Sequence, residues 1–336
     1  MIETFLATLQ PMLSLFVFIA LGFLLFKVKI IPENGSKVLA KILTYAICPA
    51  LSFTSMAKNF TVDNLLQHFT NLILGSIAVG VALIITLCLI GFFVKDKASY
   101  ERGIYKYALT IGNMGYVGDP VVLALFGLEG LAFYKIATLP FSILIYTWGI
   151  NVLVPHGEQK QSFIKSFLNV PTIGMFIGMF AGLTGFGNLI FDTPGLKFLA
   201  DSLTGLGNCM GPIAMLLAGV TVARFDVKKM LTNKKVYYAS ILRLIFIPSV
   251  IIAVMFGIIC LANALFGINL DNSFLFLVFF AIATPLGMNT IVFPEAYGGD
   301  PSTGAGMTIV SHTMCVITIP LMYALLTLLF GPAPIF

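Results

Sequence analysis

Residues 110–127 read TIGNMGYVGDPVVLALFG, and this stretch decides how the rest of the chain is interpreted. It begins as an apolar helix, but Gly112, Gly115 and Gly118 weaken that helix at intervals of three residues. Pro120 lacks an N–H group and disfavours helical geometry at the residue before it. An unwound segment cannot face lipid, because its free N–H and C=O groups would have no partners there. The sequence therefore predicts a broken membrane helix whose break is covered by protein or lines a cavity.

A second interrupted stretch, ATPLGMNTIVFPEAYGG, occupies residues 283–299. Pro285, Gly287, Asn289 and Pro294 break its helical pattern in a similar way. Two broken membrane helices at corresponding places in two halves of a chain are typical of the substrate site of a transporter. The two stretches together therefore predict a transporter whose site lies at the breaks.

The composition places the whole chain in a membrane. The 336 residues are 59% hydrophobic and 10% charged, which is more apolar surface than a soluble domain of this size is able to bury. The net charge of +5 does not indicate a nucleic-acid partner, because the cations lie in short loops between apolar runs. The five cysteines fall singly in apolar segments, which argues against a disulfide framework or a metal site. The sequence has no phosphate-binding loop, G-x-S-x-G or H-E-x-x-H motif, so it predicts neither an enzyme nor a cofactor.

Ten apolar stretches are long enough to cross a bilayer, which takes roughly 20 residues each. The polar linker from His156 to Lys165 separates a first five-helix repeat, 1–155, from a second, 156–336. We therefore expect an all-α polytopic membrane protein with ten transmembrane helices in two inverted repeats, and with broken, crossing helices in spans 4 and 9. The predicted spans are 5–27, 36–57, 69–94, 103–127, 131–154, 167–189, 196–222, 236–263, 273–297 and 304–330.

The distribution of cations predicts the orientation. Of the 19 Lys and Arg residues, 15 fall in loops on one side, which the positive-inside rule assigns to the cytoplasm. Both termini are then extracellular, and the predicted location is the plasma membrane. The first residues, Met-Ile-Glu, lack a basic region, so 5–27 is interpreted as a retained span and not as a signal peptide.

Four segments together resemble the auxin efflux carrier family in order and spacing. The resemblance covers essentially the whole chain, and the short loop after span 5 is similar to the bacterial malate and malonate permease branch. It implies a ten-span fold, a scaffold and a transport domain that move by an elevator-type mechanism, and a small organic anion as substrate. Asp119 departs from the family, which usually has an apolar residue there. The four segments are Asn113-Met-Gly-Tyr-Val-Gly-Asp-Pro120, Pro285-Leu-Gly287 with Tyr297-Gly-Gly-Asp300, Pro212 with Gly219, and Arg243-Leu-Ile-Phe-Ile-Pro248.

The candidate substrate-binding residues surround the two breaks. Asn113 and Asn289 carry amides that both donate and accept hydrogen bonds, and the resemblance implies substrate contacts at this crossover. The alternative is that they only pair the freed backbone groups. Each break also starts a half-helix whose positive dipole end holds an anion without a charged side chain. The predicted set is Gly112, Asn113, Gly115, Pro120, Arg243, Pro285, Gly287 and Asn289.

The position of Arg243 in the sequence is compatible with three roles. Its guanidinium is suited to a substrate carboxylate, to the cytoplasmic headgroups, or to an ion pair with Glu295. Asp119, Glu295 and His312 are ionisable groups at membrane depth, which makes them candidates for proton or ion coupling. The alternatives are hydration for Glu295, backbone hydrogen bonds for Asp119 and packing for His312.

The sequence thus predicts a secondary transporter, or permease, for malate or a related dicarboxylate, with H+ or Na+ as the candidate coupling ion. A sodium-coupled organic-anion symporter of the bile-acid type and a non-transporting membrane receptor remain open as alternatives. Gly174, Gly178 and Gly182 form a ridge of small residues on span 6. Such a ridge packs helices closely within a monomer, and a homodimer seam is its second interpretation.

Overall fold

The computed structural model describes residues 2–67, 69–97, 99–155, 170–267 and 273–331. Within these ranges every regular element is a helix, apart from one isolated antiparallel bridge between Gly112 and Leu286. The protein is an all-α, polytopic membrane protein. The predicted linker from His156 to Lys165, and with it the boundary between the two predicted repeats, lies outside the described residues.

The helices are numbered here in chain order, and four wide π-helical turns and one 3₁₀ turn join some of them. The part of the chain before the linker contains α1 (Ile2–Lys27), α2 (Gly35–Ile42), α3 (Cys48–Asn59), α4 (Val62–Gln67), α5 (Phe69–Phe93), α6 (Tyr100–Thr110), α7 (Asp119–Leu144) and α8 (Ile150–Leu153). The part after it contains α9 (Val170–Leu183), α10 (Phe186–Asp192), α11 (Lys197–Asn208), α12 (Met210–Arg224), α13 (Val227–Thr232), α14 (Lys234–Ile241), α15 (Ile247–Phe266), α16 (Ser273–Ile282), α17 (Asn289–Tyr297) and α18 (Ser302–Phe330).

Six helical stretches among the described residues are long and apolar enough to cross a membrane. A seventh candidate combines α9 and α10, which are bent by 92° against each other. The predicted spans 4 and 9 do not qualify, because their breaks divide each of them into shorter helices. The count of ten therefore stays a prediction. The six stretches are Gly35–Asn59, Leu72–Phe93, Phe133–Leu153, Pro194–Arg224, Lys234–Leu265 and Ser302–Phe330.

Three of the wide turns end two residues before a proline. They cover Leu43–Ile47 before Pro49, Met114–Gly118 before Pro120, and Leu242–Phe246 before Pro248. A proline has no N–H to donate to the residue four positions earlier, so one bond of the helical ladder is lost. The backbone relaxes into a wider turn at that point, and such turns often lie at functional sites.

The helices pack in two neighbourhoods. In one, α1 lies along α12 while α9 and α11 lie along α3; in the other, α7 contacts α5 and α16, and α14 contacts α18. Close packing in the first depends on glycine: Gly174, Gly178 and Gly182 all lie against the backbone of α3. A Cβ added at Gly178 would come within 2.6 Å of the Phe53 carbonyl oxygen. The interpretation of this ridge as packing within the monomer is confirmed.

The two breaks meet at the centre of the protein, as predicted. Between α6 and the turn at Met114, the chain is extended, and it lies antiparallel to the unwound segment that follows α16. The Asn113 N–H donates to the Pro285 carbonyl at 2.8 Å, and the Leu286 N–H donates to the Ser311 hydroxyl at 3.2 Å. Each break thereby satisfies backbone groups that its own helix has lost, which is the condition for unwinding inside a membrane.

Candidate functional site

A cavity of about 90 Å³ lies beside this crossover. Its volume is several times what one buried water needs, so it has room for a small organic molecule. The wall formed by the breaks contains Gly112, Asn113, Met114, Gly115, Gly287, Met288 and Asn289. The half-helices that begin at Met114 and Asn289 thus both start at the cavity, and their positive dipole ends favour an anion there.

Asn113 is the centre of a buried hydrogen-bond chain and is only 1% exposed. Its Nδ2 lies 3.0 Å from His312 Nε2, while His312 Nδ1 lies 2.9 Å from the Thr308 carbonyl oxygen. A carbonyl only accepts, so Nδ1 carries the proton of the neutral ring, and Nε2 accepts from the Asn113 amide. Asn113 Oδ1 is left without a hydrogen-bond partner. The amide therefore keeps an unpaired acceptor, Oδ1, while Nδ2 uses one of its two hydrogens on His312.

Asp119 and Lys135 form an ion pair at the cavity wall. Both belong to α7, whose backbone leaves helical geometry at Gly127, where φ is +68°. The chain reverses there, so that Lys135 returns beside the start of its own helix. Both side chains are 19% exposed. Among the described residues that line the cavity, Lys135 carries the single cationic side chain, and its ammonium has three donors for a carboxylate.

Lys135 falls inside the predicted span 131–154, but the sequence assigns it no role, whereas the structure pairs it with Asp119. A signal for its role exists, because Lys135, Thr138 and Ser142 are spaced by three and four residues and share one face of the part of α7 that follows Gly127. All three line the cavity, as do Ser52 and Ser55 of α3.

Asn289, like Asn113, is paired to the protein through its amide donor. Its Nδ2 donates to the Tyr107 hydroxyl at 2.7 Å, and the Tyr107 ring stacks on Trp148 with centroids 6.4 Å apart. Gly287 packs against the same tyrosine ring. This side of the cavity is therefore a fixed wall.

Arg243 lies behind the crossover and away from the cavity lining. It is fully buried, and its Nη1 donates to the carbonyl oxygens of Leu109 and Thr110 at 3.3 and 3.2 Å. The headgroup interpretation is wrong because the side chain has no exposure. The pairing with Glu295 is wrong because that carboxylate has another partner.

Glu295 is held by two residues far away in the sequence. Arg224 donates to its Oε1 at 2.5 Å, and the Ser36 hydroxyl donates to its Oε2 at 3.1 Å. The carboxylate is 7% exposed, so the expectation of simple hydration is also wrong. Glu295 does not line the cavity, whereas Asp119 does.

The structure thus brings together most of the predicted substrate-binding set. Gly112, Asn113, Gly115, Gly287 and Asn289 line the cavity, with Asp119 at its wall and His312 one hydrogen bond behind it. Arg243 and Pro285 are absent from the described lining, although Pro285 accepts the backbone bond from Asn113. The side chain of Pro120 lies outside what the structure describes.

Comparison with known proteins gives the family. A family model described as "Membrane transport protein" matches residues 7–163 and 159–323. An uncharacterized transporter of Methanocaldococcus jannaschii is 25% identical over 206 residues, which are 58% of this chain and 62% of that protein. A second, from Methanothermobacter thermautotrophicus, is 25% identical over 236 residues, or 65% of this chain and 69% of the relative. With matches over nearly its whole length, the chain belongs to the membrane transport protein family, the auxin efflux carrier family that its two crossover segments resemble.

Proposed function

We propose that the protein is a secondary transporter, or permease, that moves a small organic anion through the crossover cavity. The observation that carries the proposal is the cavity itself, where two crossed helix breaks, an unpaired Asn113 acceptor and the Lys135 ammonium meet. Two half-helix dipole ends and one ammonium all favour negative charge. Family membership agrees with a transport role and not with catalysis.

The lining favours malate or a related dicarboxylate as the substrate. Lys135 and the half-helix ends are suited to carboxylates, while the Asn113 Oδ1 atom needs a hydrogen-bond donor. A hydroxyl group beside a carboxylate supplies that donor. A small hydroxycarboxylate therefore satisfies groups that an unsubstituted dicarboxylate leaves unpaired.

The Asp119–Lys135 pair supports coupling to a proton. A substrate carboxylate and the Asp119 carboxylate compete for the same ammonium, and two like charges at one cation repel each other. Protonation of Asp119 removes the repulsion and releases Lys135 for the substrate. In this scheme His312 acts indirectly, because it holds the amide of Asn113 in one orientation.

Alternating access follows from movement between the two helix neighbourhoods. One wall of the cavity comes from α3, α9 and α12, and the other from α7 and the two breaks. The Glu295–Arg224 pair joins α17, which follows the second break, to α12. With the orientation from the charge distribution, this pair closes the cytoplasmic side, and the cavity lies toward the outside. An elevator-type shift of the α7 neighbourhood along α3 and α12 would then carry the substrate inward.

The test is uptake by the purified protein in proteoliposomes, with labelled malate, succinate, malonate, citrate and lactate under imposed pH, sodium and voltage gradients. We expect counterflow of malate, stimulation by an inward proton gradient and no requirement for sodium. A strict sodium requirement would favour the sodium-coupled symporter. Binding without counterflow of any carboxylate would favour a receptor and refute the transport proposal.

A further inference from the structure

Among the described charged residues, Arg243 is one whose side chain is fully buried, and it lies behind the crossover. Its Nη1 donates to the carbonyl oxygens of Leu109 and Thr110, the last two residues of α6. Its Nη2 packs so closely on Gly112 that a side chain at that position would collide with it. Nε and Nη2 have no hydrogen-bond partner in the described protein.

No carboxylate among the described residues makes a salt bridge with this guanidinium; the two pairs found there are Asp119–Lys135 and Glu295–Arg224. A buried cation without a counter-ion is costly, so something else must offset its charge. The available negative charge is the C-terminal end of α6, where the last carbonyls lose their intrahelical partners. The Thr284 hydroxyl, at the start of the second break, also lies against Gly112. Arg243 thus contacts the two breaks from the side away from the cavity.

In transporters with discontinuous helices, the C-terminal ends of half-helices and the unwound carbonyls hold the coupling cation. Here a side chain of the protein delivers a positive charge to that position. We propose that Arg243 is a tethered cation that neutralises the helix ends behind the crossover and thereby fixes the position of Asn113. The expected effect on substrate exchange rests on the proposed transport function, whereas the neutralisation of the helix ends by Arg243 does not.

Arg243 would then be a positioning residue and not a substrate ligand. It touches the backbone on the far side of Gly112, and Gly112 and Asn113 present the other side to the cavity. The permanent charge of Arg243 gives these helix ends the compensation that a coupling cation gives in other discontinuous helices. It also explains why residue 112 must be glycine, since a Cβ there would displace the guanidinium.

The experiment removes the charge and supplies it again from solution. Arg243→Ala leaves space at the helix ends, and we expect malate exchange to fall by about ten-fold or more, as for loss of charge-assisted hydrogen bonds. Methylguanidinium added to the medium should restore much of the exchange, whereas urea, its neutral analogue, should not. The wild-type protein is the matched control, because its own guanidinium already occupies the position. Stimulation of wild-type exchange by methylguanidinium would show that the effect is unspecific.

Two further measurements keep the outcome decisive. Arg243→Lys retains the charge and Arg243→Met the apolar volume, so a tethered cation predicts that Lys preserves exchange better than Met. The reverse order, or absence of rescue in a folded Arg243→Ala protein, would overturn the proposal. Thermal unfolding of the detergent-solubilised Arg243→Ala protein gives a readout that needs no transport: methylguanidinium should raise its midpoint and urea should not. A raised midpoint in a protein that exchanges no carboxylate would refute the transport function alone.

Discussion

The two helix breaks lie against each other, and each carries an asparagine that donates Nδ2 to the protein, but their carboxylates have different surroundings. At the first, Asn113 keeps an unpaired acceptor, and the helix that follows begins with Asp119, paired to the cavity cation. At the second, Asn289 donates to Tyr107, and Glu295, six residues further on, is fixed by Arg224 and Ser36. Polar groups left incomplete in a buried site are costly and point to a ligand. In the proposed function this difference assigns substrate binding to the first break, and the second break serves as a wall of the cavity and closes the opposite end.

The largest effect should come from Lys135. Lys135→Ala removes the cation from the cavity and leaves Asp119 without its partner, so we expect malate affinity to fall by roughly 30-fold or more, since truncating one member of a buried pair costs about 2–5 kcal/mol. Equilibrium binding to the purified protein measures this. Lys135→Arg, which keeps the charge, is the control and should lose much less. Wild-type affinity in a folded Lys135→Ala protein would show that Lys135 does not bind the substrate.

The next test compares the two asparagines directly. Asn113→Ala should lower malate affinity by about ten-fold, while Asn289→Ala should change it by about two-fold or less and mainly lower the thermal midpoint. Both substitutions delete a buried amide, so each is the control for the other. Equal losses of affinity would erase the distinction between the breaks.

A substrate analogue sharpens the same test. Succinate lacks the hydroxyl of malate, so the wild-type protein should bind it more weakly, whereas Asn113→Ala should bind both equally. If the hydroxyl of malate binds Asn113, removing either partner abolishes the same interaction, and removing the second partner has no further effect. A preference for malate that survives in the Asn113→Ala protein would place the hydroxyl elsewhere in the cavity.

Much of this arrangement is encoded locally, and the sequence predicts that part well. Gly112, Pro120, Pro285 and Gly287 act on their own backbone, so the breaks and their contact are readable from residue types. The partners of Asp119 and Glu295 are not readable from residue types. Asp119 meets Lys135 only because the chain reverses at Gly127, a position that looks like an ordinary small residue inside an apolar helix.

Long-range pairs explain the remaining errors. Glu295 lies 71 residues from Arg224 and 259 from Ser36, and no periodicity within one helix relates such positions. The sequence identifies Glu295 as an ionisable group at membrane depth, but it does not distinguish Arg243 from Arg224 as the partner of that carboxylate. That choice depends on the packing of α17 against α2 and α12.

A smaller effect is expected for Asp119. Asp119→Asn keeps the shape of the side chain, mimics its protonated form and frees Lys135, so the variant should still exchange malate. Exchange should lose most of its pH dependence, because the residue that takes up the proton is gone. Rates of exchange between pH 5 and 8 in proteoliposomes measure this. A pH profile that matches the wild type would show that Asp119 is not the coupling group.

The smallest effect on binding should come from the pair at the second break. Glu295→Gln removes the charge that Arg224 meets, at a site outside the cavity, so malate affinity should stay within about two-fold of the wild type. Net transport should change instead, because the pair ties α17, which follows the second break, to α12. Parallel binding and uptake measurements separate these effects. A large loss of affinity would contradict the assignment of this pair to closure.

The most direct test of the central claim is protection of a cysteine placed in the first break. Gly115 lines the cavity and has open space for a side chain, whereas Gly205 has similar space but lies elsewhere, on α11. In a protein whose native cysteines are replaced by serine, malate should slow maleimide labelling of Gly115→Cys. Half-protection should occur at the concentration that half-saturates transport, and labelling of Gly205→Cys should not change. Labelling of Gly115→Cys at an unaltered rate, in protein that still transports malate, would show that the substrate does not bind at the first break.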